Sequence, residues 1–162
     1  MGGMTDAQTP TVPTPEQDRE RLKQLIQELA VVHGRVTLSS GKEADYYVDL
    51  RRVTLHHEAA PLIGRVMLRL LEENGIEFDA VGGLTMGADP VATAMMHQAG
   101  TVGRALDAFV VRKAQKSYGM GRQVEGPGVD RYLSPEIEET VRLVKEGALI
   151  DAVEDATGQL RV

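Results

Sequence analysis

A cationic segment near the middle of the chain has residue types suited to binding a polyanion. Residues 109–126 read FVVRKAQKSYGMGRQVEG, in which Arg112, Lys113, Lys116 and Arg122 are interleaved with glycines. Lys and Arg side chains on a loop can close over phosphate oxygens, and glycines let the backbone approach a ligand closely. A solvated loop is the alternative, and the charges alone do not decide between the two.

The turn LTMGAD, residues 84–89, is a second candidate for anion binding. It joins a predicted strand at 78–83 to a predicted helix at 89–99, for which we expect Asp89 as the N-cap and Pro90 as the first helical residue. A glycine-containing turn at a helix N-terminus offers backbone N–H groups and the positive end of the helix dipole. A simple connecting turn is the alternative.

Two adjacent tyrosines, Tyr46 and Tyr47, lie in the segment SSGKEADYYVD. Neighbouring side chains on a strand point to opposite faces. One ring can therefore be core while the other stacks on a planar ligand, or the pair can simply be one core and one surface residue. The four histidines show no metal-ligand spacing, and we interpret them as structural or exposed.

Near the C-terminus, the segment AVEDATG at 152–158 places two carboxylates after a predicted strand at 148–153. Glu154 and Asp155 could hold ribose hydroxyls while the following amides hold a phosphate. The alternative is an acidic terminus with no ligand. A helix is predicted before this strand, over about 134–147.

The elements around the central motifs predict where the motifs meet. Strand 78–83, helix 89–99 and a strand at 105–111 form a βαβ unit, for which a parallel sheet is expected. Ligands of open α/β sheets bind outside the carboxyl ends of the strands. The LTMGAD turn and the cationic segment should therefore lie at the same edge of the sheet.

The N-terminal half predicts two helices around a hairpin. Helical spacing of apolar residues indicates a first helix over 15–33, with a capping box of Thr14 and Gln17 at its start and Gly34 as its stop. Strands are predicted at 36–40 and 45–50, followed by a helix at 58–74 that Gly75 ends.

Composition limits the class of protein. The chain has 162 residues, a formal net charge of −6, no cysteine and 42% hydrophobic residues. This is typical of a single cytoplasmic α/β enzyme or binding domain, and it argues against nucleic-acid binding, cysteine-built zinc sites and a membrane span. Residues 1–13 are rich in Thr, Pro and Gly and are expected to be a disordered tail.

Three segments together resemble the orotate phosphoribosyltransferases of actinobacteria. They are VTLSSGKEADYYVDLRR, VGGLTMGADPVA and FVVRKAQKSYGMGRQVEGP, which occur in the family's order and spacing and cover about 15–127. The resemblance implies a phosphoribosyltransferase-like, Rossmann-like parallel sheet flanked by helices, with an N-terminal helix and hairpin as a hood. It implies a homodimer with shared active sites, and transfer of ribosyl 5-phosphate from phosphoribosyl pyrophosphate (PRPP) to orotate with Mg²⁺, as in pyrimidine synthesis.

The resemblance also implies roles for individual residues. Arg112, Lys113 and Lys116 match catalytic lid residues that reach pyrophosphate oxygens, and Tyr46 and Tyr47 match an aromatic pair beside orotate. The remaining PRPP-binding candidates are Thr85, Met86, Gly87, Tyr118, Glu154 and Asp155. No protein ligand of the metal is predicted apart from Asp155 as a possible one.

The chain departs from the family pattern in its last third. The family usually has a histidine where Tyr118 stands, and its PRPP loop, Glu-Asp followed by threonines and Gly, has its nearest match in 153–158. Because four residues follow Gly158, we expect no helix after that match and a sheet shortened at its C-terminal side. The domain is therefore predicted to span 14–127, with 128–162 as an atypical segment packed on it.

Two other functions stay open on the sequence. A non-catalytic homologue would bind orotate or pyrophosphate without forming product. A phosphoribosyltransferase for another base is the second, although the SSGKEADYYVD segment argues against it because that segment belongs to the orotate group.

Overall fold

The first helix begins as the sequence predicts and ends earlier. The computed structural model describes residues 12–37, 41–113 and 124–128. Helix α1 spans Pro15–Leu25, and at its start the Thr14 hydroxyl accepts a hydrogen bond from the Gln17 amide while the Gln17 side chain accepts one from the Thr14 amide. This is the predicted capping box.

The predicted helix end at residue 33 is wrong. A π-helical turn, Ile26–Ala30, follows α1, and strand β1 then spans Val31–Thr37. Gly34 does not stop a helix; it lies inside β1 with φ +138°, where the strand pairing shifts register. Such a bulge suits glycine, because residues with a side chain rarely adopt that φ.

Strands β1 and β2 form the predicted hairpin. Strand β2 spans Glu43–Val48 and pairs antiparallel with β1, with Val31 opposite Val48 and Thr37 opposite Glu43. Both strands begin before the bounds of 36–40 and 45–50 that the sequence predicts. The hairpin follows α1 and the π-helical turn, so helix and hairpin are consecutive in the chain as predicted.

Two helices connect the hairpin to the main sheet. The short helix α2, Arg51–Thr54, was not predicted, and helix α3, Ala59–Glu73, lies close to the predicted 58–74. The buried face of α3 is apolar, and its residues Leu62, Ile63 and Leu68 lie in the core.

The central sheet has the predicted βαβ arrangement. Strand β3, Ala80–Leu84, and strand β4, Asp107–Val111, pair in parallel, with helix α4, Asp89–Thr101, between them in sequence. Strand β5, Val124–Glu125, pairs antiparallel with β4 and was not predicted. Within the described ranges this sheet has the strand order β3-β4-β5. The prediction of a shortened sheet concerns residues after 128, which lie outside those ranges.

Two helices pack closely where a glycine allows it. A Cβ on Gly64 of α3 would lie 2.7 Å from the carbonyl carbon of Ala94 on α4 and 2.7 Å from Cγ of Gln98. The shortest such approach would be to the Ala94 carbonyl oxygen. Only a residue without a side chain permits this approach of the two backbones.

A buried carboxylate joins α1 to α3. Asp18 is 1% exposed and accepts hydrogen bonds from Arg65 Nε and Nη2, both at 2.7 Å, and from Arg69 Nη1 at 2.9 Å. The hydrogen bonds from Arg65 hold the pKa of the Asp18 carboxyl below its usual value. Two arginines therefore compensate the cost of burying one carboxylate.

Helix α3 contributes to two apolar clusters, which are joined by the partly buried Met67 and Val91. Its first half packs with α1 and α2, through Ala59, Leu62 and Ile63. Its second half packs with α4 and the sheet, through Leu68 against Met95 and Leu106. In the described part of the chain, no helix is both long and apolar enough to cross a membrane.

Candidate active site

The predicted motifs meet at the carboxyl edge of the central sheet. Leu84, the last residue of β3, is the register partner of Val111, the last residue of β4. Directly after these strands, the Thr85 amide donates a hydrogen bond of 3.0 Å to the Val111 carbonyl. This bond places the start of the LTMGAD turn beside Arg112.

The turn at 84–89 is organised by its own side chains. The Thr85 hydroxyl donates a hydrogen bond of 2.8 Å to Oδ2 of Asp89, and the Ala88 amide donates one of 3.1 Å to the Leu84 carbonyl. The peptide bond between Thr85 and Met86 is cis. Met86 and Gly87 are exposed at the tip of the turn, next to the N-terminus of α4.

The predicted capping role of Asp89 is wrong. The N-cap of α4 is Ala88, which makes no side-chain capping bond, and Asp89 is the first helical residue. The Asp89 carboxylate instead accepts a hydrogen bond from the Thr85 hydroxyl, because the turn brings that hydroxyl close to it. Its other oxygen, Oδ1, is buried without a hydrogen-bond partner among the described residues.

The two cations that follow β4, Arg112 and Lys113, share a cavity with this turn. A cavity of about 440 Å³ is lined by Thr85, Val110, Arg112, Lys113 and Glu125. Arg112 Nη1 donates a hydrogen bond of 3.2 Å to Oε1 of Glu125 on β5. The structure thus brings together three of the predicted pyrophosphate-binding residues, Thr85, Arg112 and Lys113, whereas Glu125 was not predicted.

The predicted residues Lys116, Tyr118, Glu154 and Asp155 lie outside the described ranges. So do the predicted helix at 134–147 and the predicted strand at 148–153. Their assigned roles stay predictions.

The tyrosine pair stands on the hairpin, apart from the main sheet. Tyr46 is 57% exposed and lies opposite His33, whereas Tyr47 is half-buried and lies opposite Val32. The alternation agrees with side chains on opposite faces of a strand. Neither tyrosine lines the cavity of about 440 Å³ that contains Thr85 and Arg112, and the contact of this pair with a base stays a prediction.

A larger cavity connects the segment after β2 to the LTMGAD turn. It has a volume of about 890 Å³, and its lining includes Arg51, Leu55, Met86 and Asp89. The Arg51 side chain is held by Asp49, whose carboxylate accepts a hydrogen bond of 2.8 Å from Nε. This contact keeps the pKa of Asp49 below its usual value.

Three histidines also line this larger cavity. They are His56, His57 and His97, and the rings of the first two lie 4.4 Å apart. The sequence could not group them, because His97 stands on α4 and the other two precede α3. Among the described residues, no cluster of three or more His, Asp or Glu side chains is arranged to hold a metal ion.

The described geometry is that of an α/β protein with a candidate anion-binding site at the carboxyl edge of its parallel strands. Its parallel strand pair carries a short turn before a helix and a cationic segment at one sheet edge, and a helix and hairpin precede them. No family model matches the chain.

The chain belongs to the orotate phosphoribosyltransferase family. It is 51% identical over 144 residues to the orotate phosphoribosyltransferase of Mycobacterium tuberculosis, covering 88% of this chain and 78% of that protein. It is 66% identical over 111 residues to the Streptomyces avermitilis orotate phosphoribosyltransferase, covering 68% of this chain and 60% of that protein.

Solved structures agree with this assignment. A Mycobacterium tuberculosis orotate phosphoribosyltransferase in complex with Fe(III) dicitrate superposes with a TM-score of 0.59 and 61% identity, over 69% of this chain and 61% of that chain. The same enzyme in complex with PRPP gives a TM-score of 0.55 and 54% identity, over 69% and 58%. The chain spans 60% of the length of the Streptomyces avermitilis relative and 61% of the Mycobacterium tuberculosis chain solved with Fe(III) dicitrate.

Proposed function

We propose that this chain is an orotate phosphoribosyltransferase, which transfers ribosyl 5-phosphate from PRPP to N1 of orotate. The observation that carries the proposal is the shared cavity at the sheet edge, in which Thr85 of the turn meets Arg112 and Lys113. Its membership of the family and a relative's structure with bound PRPP support the same conclusion.

The reaction requires stabilisation of a leaving group. The bond between C1 of the ribose and pyrophosphate breaks, its electron pair leaves with pyrophosphate, and N1 of orotate forms the new bond to C1. The N1 proton ends on the released pyrophosphate. Charge builds on pyrophosphate oxygens in the transition state, where cations and N–H donors are most effective.

In this proposal the described residues bind the pyrophosphate side of PRPP. Arg112 and Lys113 supply positive charge at the end of β4, and Lys116 adds to it. The amides of Met86 and Gly87 supply backbone N–H groups near the N-terminus of α4, whereas the Thr85 amide is bonded to the Val111 carbonyl. Tyr46 and Tyr47 are proposed to contact orotate, and Tyr118, Glu154 and Asp155 complete the proposed PRPP site.

Mg²⁺ is proposed as the cofactor. The described residues do not form a cage for it, since no three carboxylates or histidines are grouped for coordination. A Mg²⁺ ion commonly reaches an active site on substrate phosphates with one or two protein carboxylates. We therefore propose that the ion arrives bound to PRPP, with Asp155 as its candidate protein ligand.

The proposal also includes the assembly and compartment that the family suggests. We propose a homodimer in which the cationic segment of one protomer contributes to the active site of its partner. We also propose that the protein is cytoplasmic. Sedimentation velocity of the purified protein tests the dimer: a single species near the mass of one chain would contradict it.

The test of activity is direct. Purified protein is mixed with orotate, PRPP and Mg²⁺, and loss of orotate absorbance is followed, with Lys116→Ala as the matched variant. We expect loss of orotate in the parent and a strongly reduced rate in the variant. A folded parent that consumes no orotate would contradict the proposal.

A non-catalytic homologue is the second candidate function. The observation that favours it is the segment AVEDATG, which is short of the threonines of the family's PRPP loop. This candidate predicts that calorimetry detects binding of orotate or pyrophosphate while no product forms.

A phosphoribosyltransferase for another base is tested by replacing orotate with a panel of purine bases in the activity assay.

A further inference from the structure

Glu125 lies beside Arg112 because strand β5 returns to β4. Glu125 is the register partner of Val110, and Arg112 Nη1 donates to Glu125 Oε1 at 3.2 Å. The next residue, Gly126, has φ +155°, and a Cβ there would lie 2.8 Å from the Ala108 carbonyl oxygen. Glycine at that position thus lets the β5 backbone approach β4 closely and brings Glu125 next to Arg112.

From this arrangement we infer that Glu125 is a positioning residue, which holds the Arg112 guanidinium ready for the pyrophosphate group of the donor. The inference rests on the proposed function. Glu125 acts through Arg112 and does not itself contact substrate. Both side chains line the cavity that also contains Thr85.

The geometry of guanidinium makes the arrangement useful. Arg112 uses Nη1 for the carboxylate, and within the described residues its Nε and Nη2 atoms have no hydrogen bond. That edge of a guanidinium is the one that can bind an anion through two parallel bonds. The Glu125 carboxylate therefore restricts the Arg112 side chain and leaves the Nε and Nη2 edge of the guanidinium for a ligand.

The pair contributes more to ligand binding than to folding. Its side chains are 37% and 44% exposed, and ion pairs at such positions contribute little to stability. A long side chain loses rotamer freedom when it binds a ligand, and a group that is already ordered loses less. Preorganisation of Arg112 before the donor arrives is thus the expected effect of Glu125.

Glu125→Gln distinguishes a Glu125 that positions Arg112 from a Glu125 that competes with the ligand for Arg112. We expect the Kd of inorganic pyrophosphate with Mg²⁺, measured by calorimetry, to rise about 3–10-fold, because a disordered guanidinium loses binding free energy on ordering. If Glu125 merely competes with the anion for Arg112, removal of its charge will tighten binding. Tighter or unchanged binding would overturn the inference.

Glu77→Gln is the matched control. Glu77 is exposed, stands before β3, and makes no ion pair among the described residues. The control removes the same charge from the protein, so it should leave the pyrophosphate Kd within about twofold, as expected for a solvent-screened charge. Comparison of the two variants separates a local effect from a change in net charge.

A double variant shows whether Glu125 acts through Arg112. Once Arg112→Ala has removed the guanidinium, adding Glu125→Gln should change the Kd no further. An additional loss in the double variant would show an independent role and overturn the inference. Thermal unfolding of each variant checks that the folded fraction is unchanged at the assay temperature.

The outcomes for this inference and for the proposed function are distinct. The binding measurements use pyrophosphate alone and do not need turnover. A parent that binds pyrophosphate but forms no product contradicts the proposed function and leaves the Glu125 result to stand by itself. A parent that forms product while Glu125→Gln binds like the control contradicts the inference only, and a parent that does not bind pyrophosphate contradicts both.

Discussion

Substitution of Gly64 by alanine should destabilise the protein, although alanine is the better helix former. In an exposed helix this change contributes up to about 1 kcal/mol of stability. At Gly64, however, the added Cβ would lie 2.7 Å from the carbonyl carbon of Ala94, which is about 0.7 Å short of ordinary contact. A backbone atom cannot rotate away as a flexible side chain can, so α3 and α4 must separate.

The two effects give an expected magnitude. Overpacking of this kind costs about 1–3 kcal/mol or more. Because backbone atoms are the obstacle, we take the upper part of that range, so after the helix-propensity gain the net loss should be about 1–2 kcal/mol. Equilibrium unfolding in urea, followed by far-UV circular dichroism, measures it as a lower midpoint at constant slope.

Gly100→Ala is the matched control for this experiment. Gly100 lies in α4, is exposed, and a Cβ there would have no atom within 4 Å. The same chemical change should therefore leave stability unchanged or raise it by up to about 1 kcal/mol. The reasoning is refuted if Gly64→Ala is as stable as the parent, since the two helices would then tolerate a methyl group between them.

Two further substitutions test other contacts. Asp18→Asn should lower the free energy of unfolding in urea by about 2–3 kcal/mol. The loss is smaller than for a fully buried ion pair because the side chains of Arg65 and Arg69 are 30% and 29% exposed. Since the folded pKa of Asp18 is lowered, its contribution is fully present above the unfolded pKa and is lost as pH falls through the folded pKa. The difference between parent and variant should thus be constant near neutrality and shrink only in acid; a difference independent of pH down to acid would contradict this. Thr85→Val should cost about 1–3 kcal/mol in thermal unfolding, because it leaves the Asp89 carboxylate without its hydroxyl donor, whereas Thr85→Ser should behave like the parent.

The parts of the fold that the sequence predicts well are those with strong local signals. The capping box at Thr14 and the strand–helix–strand order of 78–111 depend on neighbouring residues, and the structure confirms both. The family resemblance also predicts the fold class, and the solved structures of relatives agree with it.

The errors arise where local signals are ambiguous. The apolar spacing of the first helix continues past Leu25, and nothing in the sequence marks the change to a strand at the β-branched Val31. Asp89 is a common capping residue, yet a hydroxyl four residues earlier in the sequence competes for its carboxylate. Strand β5 has two residues, too few to show a period of two.

Individual side-chain contacts between distant residues could not be predicted. Asp18 bonds to arginines 47 and 51 positions away, and a lone aspartate near a helix start looks like an ordinary surface residue. Glu125 meets Arg112 only because β5 pairs with β4. The candidate site was predicted in part. Thr85, Arg112 and Lys113 come together as expected, whereas the role of the tyrosine pair stays a prediction.

The position of helix α3 in both apolar clusters has a consequence for local opening. Helices α1 and α2 pack on its first half, and α4 and the sheet pack on its second half. Release of α3 from either side therefore exposes apolar residues on both. Fluctuations that free α1 or the hairpin can leave α3 in place, whereas release of α3 requires both clusters to open. Its amide protons should therefore exchange with solvent at the rate set by global unfolding, and its two halves should respond together to a mutation in either cluster.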